Sequence, residues 1–222
     1  MRRFLTHAAR VAFLAALIGL PISADASSDL LGPDWTPPIY EPQAAVPPTA
    51  QAAATKALRA GKQAAQVAFK NPKGEKVTLE SLIADGPVIL IFYRGGWCPY
   101  CVKQLKDFEQ HRADIEQAGA RVVAVSTELP EHAGNTKEKN KLGFAVLSDP
   151  EAVASRAFGV AWANERYGPG LERYNGNDKG EIPLGVTYLI DTNATIRWAF
   201  LEDDYKKRAT PDQAIEAINA LD

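Results

Sequence analysis

The chain has 222 residues, with 25 Lys+Arg against 27 Asp+Glu and a net charge of −2. That length suits one or two domains, and 46% hydrophobic residues is a globular composition. The charge balance excludes a dedicated nucleic-acid binder, which would carry a basic excess. Two cysteines and three histidines exclude both a disulfide-built scaffold and a zinc ribbon.

Arg2, Arg3 and Arg10 flank the start of a charge-free apolar run, Val11 to Leu20, and Ala24-Asp25-Ala26 places small residues where a signal peptidase reads. These three features predict a secretory signal peptide over 1–26. The run falls short of the ~20 apolar residues that span a bilayer, so no stable membrane span is expected. The expected destination is the periplasm or the exterior, where thiol pairs tend to oxidise. Residues 27–60 are expected to be a Pro/Ala-rich linker, because Pro33, Pro37, Pro38, Pro42, Pro47 and Pro48 are too dense for helix or central strand. Towards its end, Ala50 to Ala65 is Ala-rich and allows a helix that Gly61 interrupts. The folded domain is expected over 61–222.

Lys70 to Leu82 reads as a turn, a short strand and a small helix. Val88 to Tyr93 is a continuous apolar run, the pattern of a strand buried on both faces. Gly95-Gly96 ends it, and a helical pattern follows with Val102, Leu105, Phe108 and Ile115 on one side. Arg121 to Ser126 is a second buried strand, a polar helix follows Pro130, and Phe144 to Leu147 is a third strand. Asp149-Pro150 is expected to open a helix as cap and first-turn residue. A loop-rich insertion is expected from Gly159 to Ile182. Val186 to Ile190 and Thr195 to Leu201 form a hairpin around Asp191-Thr192-Asn193-Ala194. Thr210 caps a last helix that starts at Pro211. Helices interleaved with buried strands imply an α/β fold, a central mixed sheet flanked by helices.

The two cysteines lie in Trp97-Cys98-Pro99-Tyr100-Cys101, after a buried strand and at a helix start. Unpartnered amides and the positive end of the macrodipole favour a sulfur anion there. Pro99 suits the first turn, where its missing N–H costs nothing. Cys101 lies one turn on and can close a tight disulfide with Cys98. The expected roles are Cys98 as exposed nucleophile and Cys101 as resolving thiol. A permanent structural disulfide is a weak alternative, because so small a ring restrains the unfolded chain little. No metal is expected: His111 lies ~15 Å along the helix from Cys101. Arg94, Trp97, Pro99 and Tyr100 are candidate supporting residues. Glu128 reads as an ordinary charged loop residue and His132 as a solvated one at a helix start.

Pro87 to Leu105, PVILIFYRGGWCPYCVKQL, resembles the active-site strand and helix of peroxiredoxin-like proteins of the alkyl hydroperoxide reductase/thiol-specific antioxidant (AhpC/TSA) group. That group lies within the thioredoxin-like superfamily. The similarity continues through Leu147 to Pro150, Arg156 to Val160, Thr187 to Asp191 and Asp204 to Arg208. The resemblance implies a thioredoxin-like fold and a thiol-dependent peroxidase. Cys98 would form a sulfenic acid with hydrogen peroxide or an organic hydroperoxide, and Cys101 would resolve it to a redox-active disulfide. A thioredoxin-like electron donor would reduce that disulfide, without a cofactor. Three features depart from the family pattern: Gly95 stands where a threonine usually orients the peroxide, Gly185 where an arginine often supports the thiolate, and the Ala-Pro-Asp-Phe motif near the domain start appears only as Ala65-Gln66-Val67-Ala68-Phe69. Arg94, Arg156 and Arg197 are the candidate substitutes for that charge. Thiol–disulfide exchange on proteins is the alternative activity, although its usual cis-proline position is again Gly185, with Pro183 two residues earlier. A noncatalytic thioredoxin-like binding module is the third reading. The sequence sets no oligomeric state.

Overall fold

The computed structural model describes residues 48–163, 171, 173–175 and 179–221. The expected signal peptide, the proline-rich stretch up to residue 47 and most of the 164–178 insertion lie outside the described residues.

Strand β3 (Val88–Phe92) is fully buried. It pairs in parallel with β4 (Arg121–Ser126) and antiparallel with β8 (Val186–Ile190). Around it a seven-stranded mixed sheet runs in the order β2-β1-β5-β4-β3-β8-β9, with β1 (Ala68–Lys70), β2 (Lys76–Thr78), β5 (Ala145–Ser148) and β9 (Ile196–Phe200). The continuous apolar run is explained by the pleat, since alternate side chains enter two separate cores. Val88, Leu90 and Phe92 pack in one core with Tyr188 and Phe158, and Ile89, Ile91 and Tyr93 pack in the other with both cysteines.

The first core is covered by α1 (Ala50–Lys56), α2 (Leu79–Ile83) and α6 (Val153–Ala157). Phe92, Phe158 and Tyr188 meet there with ring centroids 5.1–6.2 Å apart, each contact contributing about 1 kcal/mol beyond burial. The second core lies under α3 (Pro99–Gln110), α4 (Arg112–Gln117), α5 (Pro130–Lys139) and α7 (Pro211–Asn219). Thr210 caps α7 through the Gln213 amide, with Pro211 in the first turn. In the β8–β9 turn, the Asp191 carboxylate accepts from the amides of Asn193 and Thr195, both at 2.9 Å.

Four expectations are corrected. The stretch 27–60 is not all linker, because Thr49 caps α1, Ala53 and Ala57 are buried, and Leu58 bonds the Phe158 carbonyl and the Tyr188 hydroxyl. The helix pattern spanning Val102 to Ile115 breaks at His111. Its ring Nδ1 shares the Asp107 carbonyl with its own amide, and α4 starts afresh. The insertion after Gly159 is not only loop: β6 (Ala161–Ala163) pairs with β7 (Glu181–Pro183). Asp149-Pro150 does not begin a helix directly. Ala152 is the N-cap of α6, in the left-handed region at φ 55°, and the Asp149 carboxylate reaches over the turn.

That carboxylate is 3% exposed and accepts from the Ala154 and Ser155 amides at 3.0 and 2.7 Å and from the Ser155 hydroxyl at 2.7 Å. Asp149→Ala leaves these donors without an acceptor and is expected to lower stability by about 3 kcal/mol, measured by urea unfolding. Burial pushes the Asp149 carboxyl up to about 6, so the folded state binds its proton more tightly than the unfolded state. This contribution to stability is complete below about pH 4 and is lost as pH rises through about 6; the variant lacks that slope.

Candidate active site

Chain direction places the cysteines. β3 delivers Tyr93, whose amide donates to Val125 at 2.9 Å, and the chain then turns so that the Cys98 amide donates to the Gly95 carbonyl at 3.0 Å. Cys98 is the N-cap of α3 and Pro99 occupies its first turn. The turn needs its glycines. Gly95 has a φ of 151°, and a Cβ there would lie 2.3 Å from Nε1 of Trp97; a Cβ on Gly96 would lie 2.1 Å from the Thr136 hydroxyl on α5. The indole therefore occupies the space that a threonine side chain would need at residue 95.

Both cysteines are free thiols, Cys98 1% exposed and Cys101 fully buried, with their sulfurs 2.7 Å apart. The expectation of an exposed Cys98 is thus corrected: the Trp97-to-Cys101 turn folds its sulfur into the second core. The Cys101 thiol donates to the Cys98 sulfur. This hydrogen bond is the largest influence drawing the Cys98 thiol down from its ordinary value to about 6. The Cys101 amide and the charges of Arg94 and Arg208 act in the same direction, against burial. Burial and the neighbouring Cys98 hold Cys101 well above its ordinary value. Near neutral pH the pair is one thiolate and one thiol.

Arg94 is 6% exposed and lies over the rings of Trp97 and Tyr205, 5.1 and 4.9 Å from their centroids. Tyr100, half out in solvent, meets Tyr205 edge-on at 5.6 Å. Arg94, Trp97, Pro99 and Tyr100 thus all lie around the thiol pair. Arg156 and Arg197 do not, for they pair with Glu181 and Asp191. His132 bonds the Arg173 carbonyl and stacks near Tyr174. Pro183 pairs with Ala161 in the small sheet.

Two residues prove more important than their sequence context suggested. Glu128 is no ordinary loop residue: it is 2% exposed and accepts from the Gly96 amide at 3.0 Å, the Ser126 hydroxyl at 3.2 Å and the Tyr93 hydroxyl at 3.3 Å. It ties the turn before Cys98 to the end of β4, and burial raises its carboxyl above the usual range. Arg208, from the β9–α7 connection, places Nη2 3.5 Å from the Cys101 sulfur. Its guanidinium fills the space beside Gly185, where a Cβ would lie 2.3 Å from Cζ. The charge missing at residue 185 thus arrives from 23 residues downstream. Its sequence signals were the Gly185 departure and the family-like segment Asp204 to Arg208, and neither joined it to the cysteines.

The AhpC/TSA family model matches residues 60–199. The chain belongs to the AhpC/TSA family. It is 28% identical to peroxiredoxin Bcp of Escherichia coli K12 over 149 residues, covering 67% of this chain and 88% of the relative. It is 30% identical to chloroplastic peroxiredoxin Q of Sedum lineare over 153 residues, covering 69% and 74%. Its fold matches the peroxidoxin BcpB of Mycobacterium tuberculosis with a TM-score of 0.63 at 22% identity, covering 74% of this chain and 99% of that one. It also matches reduced Prx3 of Vibrio vulnificus, solved with hydrogen peroxide, with a TM-score of 0.63 at 14% identity, covering 72% and 99%. The thioredoxin-like fold and a peroxiredoxin-type, thiol-dependent peroxidase activity follow from this membership.

The thiol pair makes a titration measurable. The ultraviolet thiolate absorbance of the reduced protein is expected to rise through about pH 6. Cys98→Ser is expected to remove this transition, leaving Cys101 as a thiol at neutral pH.

Proposed function

We propose that Cys98 is the peroxidatic thiol of this enzyme and Cys101 its resolving thiol, acting on hydrogen peroxide or a small organic hydroperoxide. The observation that carries this assignment is the 2.7 Å hydrogen bond from the Cys101 thiol to the Cys98 sulfur. It draws the Cys98 thiol down towards the anion and keeps the second sulfur within bonding reach.

The Cys98 thiolate attacks the terminal oxygen of the hydroperoxide. The O–O bond breaks, Cys98 gains S–OH, and the departing alkoxide or hydroxide takes a proton to leave as alcohol or water. Cys101 then gives up its proton and attacks the Cys98 sulfur. The S–OH bond breaks, and hydroxide leaves with that proton as water. A thioredoxin-like dithiol donor restores the pair by two successive thiol–disulfide exchanges and is itself oxidised. None of these steps requires a metal, flavin or nucleotide. Arg94 and Arg208 supply the positive charge that favours the Cys98 anion, and Glu128 holds the turn that carries it.

The amino-terminal pattern supports export with cleavage after Ala26, which would place the enzyme where a reductant must be delivered to it. Among the described residues, no helix is long and apolar enough to cross a membrane.

Reduced protein mixed with hydrogen peroxide is expected to lose both thiols to one internal disulfide. Cys98→Ser should abolish peroxide consumption. Cys101→Ser should stop at a sulfenic acid on Cys98 that dimedone traps; trapping on Cys101 instead would reverse the assignment. Mass spectrometry of the exported form is expected to find Ser27 as its first residue.

A further inference from the structure

Arg208 differs from four other arginines of this fold. Arg112, Arg121, Arg156 and Arg197 each face a carboxylate. Among the described residues, Arg208 has no carboxylate partner. Its Nη1 donates to the neighbouring Lys207 carbonyl at 2.8 Å; among the described residues its buried Nε has no hydrogen-bond partner and its one side-chain acceptor is the Cys101 sulfur. Leaving a buried guanidinium donor unsatisfied costs free energy that the fold does not recover locally. The approach is nonetheless built in. Ala209 is buried, and Gln104 of α3 reaches its carbonyl at 3.5 Å and the Thr187 hydroxyl at 3.1 Å. Thr210 then caps α7. The connection is thus fastened on the residues that follow Arg208, and Gly185 leaves the space that the guanidinium fills.

We propose that Arg208 stabilises the Cys101 thiolate and so governs the resolving half of the cycle. This role rests on Cys98 and Cys101 being the redox pair. Arg94 is the stronger of the two charges on Cys98, whereas Arg208 is the arginine that reaches Cys101. Arg208 therefore acts on both sulfurs, and its hydrogen bond to a sulfur goes to Cys101. Burial and, while Cys98 is anionic, the hydrogen bond to it and its charge keep Cys101 protonated. Once Cys98 carries S–OH that charge is gone. Arg208 is then the cation beside a thiol that must lose its proton to attack. The same sulfur is the leaving group in the return step: a donor thiolate forms a bond to Cys98, the Cys98–Cys101 bond breaks, and its electron pair stays on Cys101 beside Arg208. A stabilised leaving thiolate directs the donor to Cys98.

The test separates the two chemical steps by stopped flow. The peroxide step depends on peroxide concentration, whereas disulfide closure does not. In Arg208→Gln, closure is expected to slow about tenfold and its pH profile to move up about one unit, the effect of losing one pKa unit of thiolate stabilisation. The peroxide step should fall by a smaller factor, and more Cys98 should reach the sulfinic acid at high peroxide. Arg208→Lys should restore part of the closure rate. Gly185→Ala provides an independent variant, since the three atoms nearest its methyl group all belong to the movable end of the Arg208 side chain. It displaces the guanidinium without removing it and should reproduce the slow closure even if Arg208→Gln fails to fold. Closure with unchanged rate and pH profile in Gly185→Ala and in any folded Arg208→Gln overturns the role of Arg208 alone. Equal slowing of both steps also overturns it, because the arginine would then act through Cys98. A wild-type protein that forms no Cys98–Cys101 disulfide with peroxide overturns the underlying assignment.

Discussion

The S–H···S hydrogen bond from Cys101 is the largest influence that draws Cys98 down, and with the deeper burial of Cys101 it makes two chemically identical thiols unequal. Burial by itself would push both cysteines towards the neutral form. The difference comes from their place on the helix. Cys98, at the N-cap, accepts the thiol hydrogen of Cys101 and benefits from the amide of that same residue. Cys101, one turn inside, donates its hydrogen and sits among apolar side chains. Moving either residue along the helix would break that reciprocity. The strand-to-helix turn is therefore held from several sides: Glu128 beneath Gly96, Val125 beside Tyr93, and Pro99 in the first turn.

Missing side chains shape the site as much as present ones do. Gly95 makes space for the Trp97 indole, Gly96 for Thr136 and Gly185 for Arg208. At residues 95 and 185 the family resemblance led one to look for a threonine and an arginine, and their absence read as a loss. At 185 the structure shows an exchange instead: a guanidinium from the β9–α7 connection fills the space. It meets Cys101 rather than a carboxylate, so the positive charge is distributed over both sulfurs. Arg94 lies between the rings of Trp97 and Tyr205, and Arg208 lies against the second thiol.

The same connection carries Tyr205, which packs on Tyr100. Residues 204–208 thus bring an aromatic ring to the outer side of the cysteine turn and a cation to its inner side. The outer wall includes exposed aromatic surface, whereas the sulfurs lie in the second core, with Cys98 only 1% exposed. Burial strengthens every charge interaction around the thiolate, because less water screens it.

The sequence by itself determined most of the sheet strands and the place of the cysteines at a helix start. Val88 to Tyr93 read as a doubly buried strand because apolar continuity needs no tertiary knowledge. Trp97 to Cys101 read as a redox turn because helix ends have free amides wherever they occur. The hairpin at Asp191 and the cap at Thr210 were equally local. Other features were decided only by the tertiary structure. Glu128 looks solvated in its own segment, and β3 must lie beside β4 before its carboxylate meets the Gly96 amide. Ala53 and Ala57 read as linker until Phe158 and Tyr188 covered them. Arg208 stands 107 residues from Cys101, and no spacing rule joins them. Periodicity and caps act over one or two turns of chain, whereas burial and charge act through space, which only the folded sheet defines.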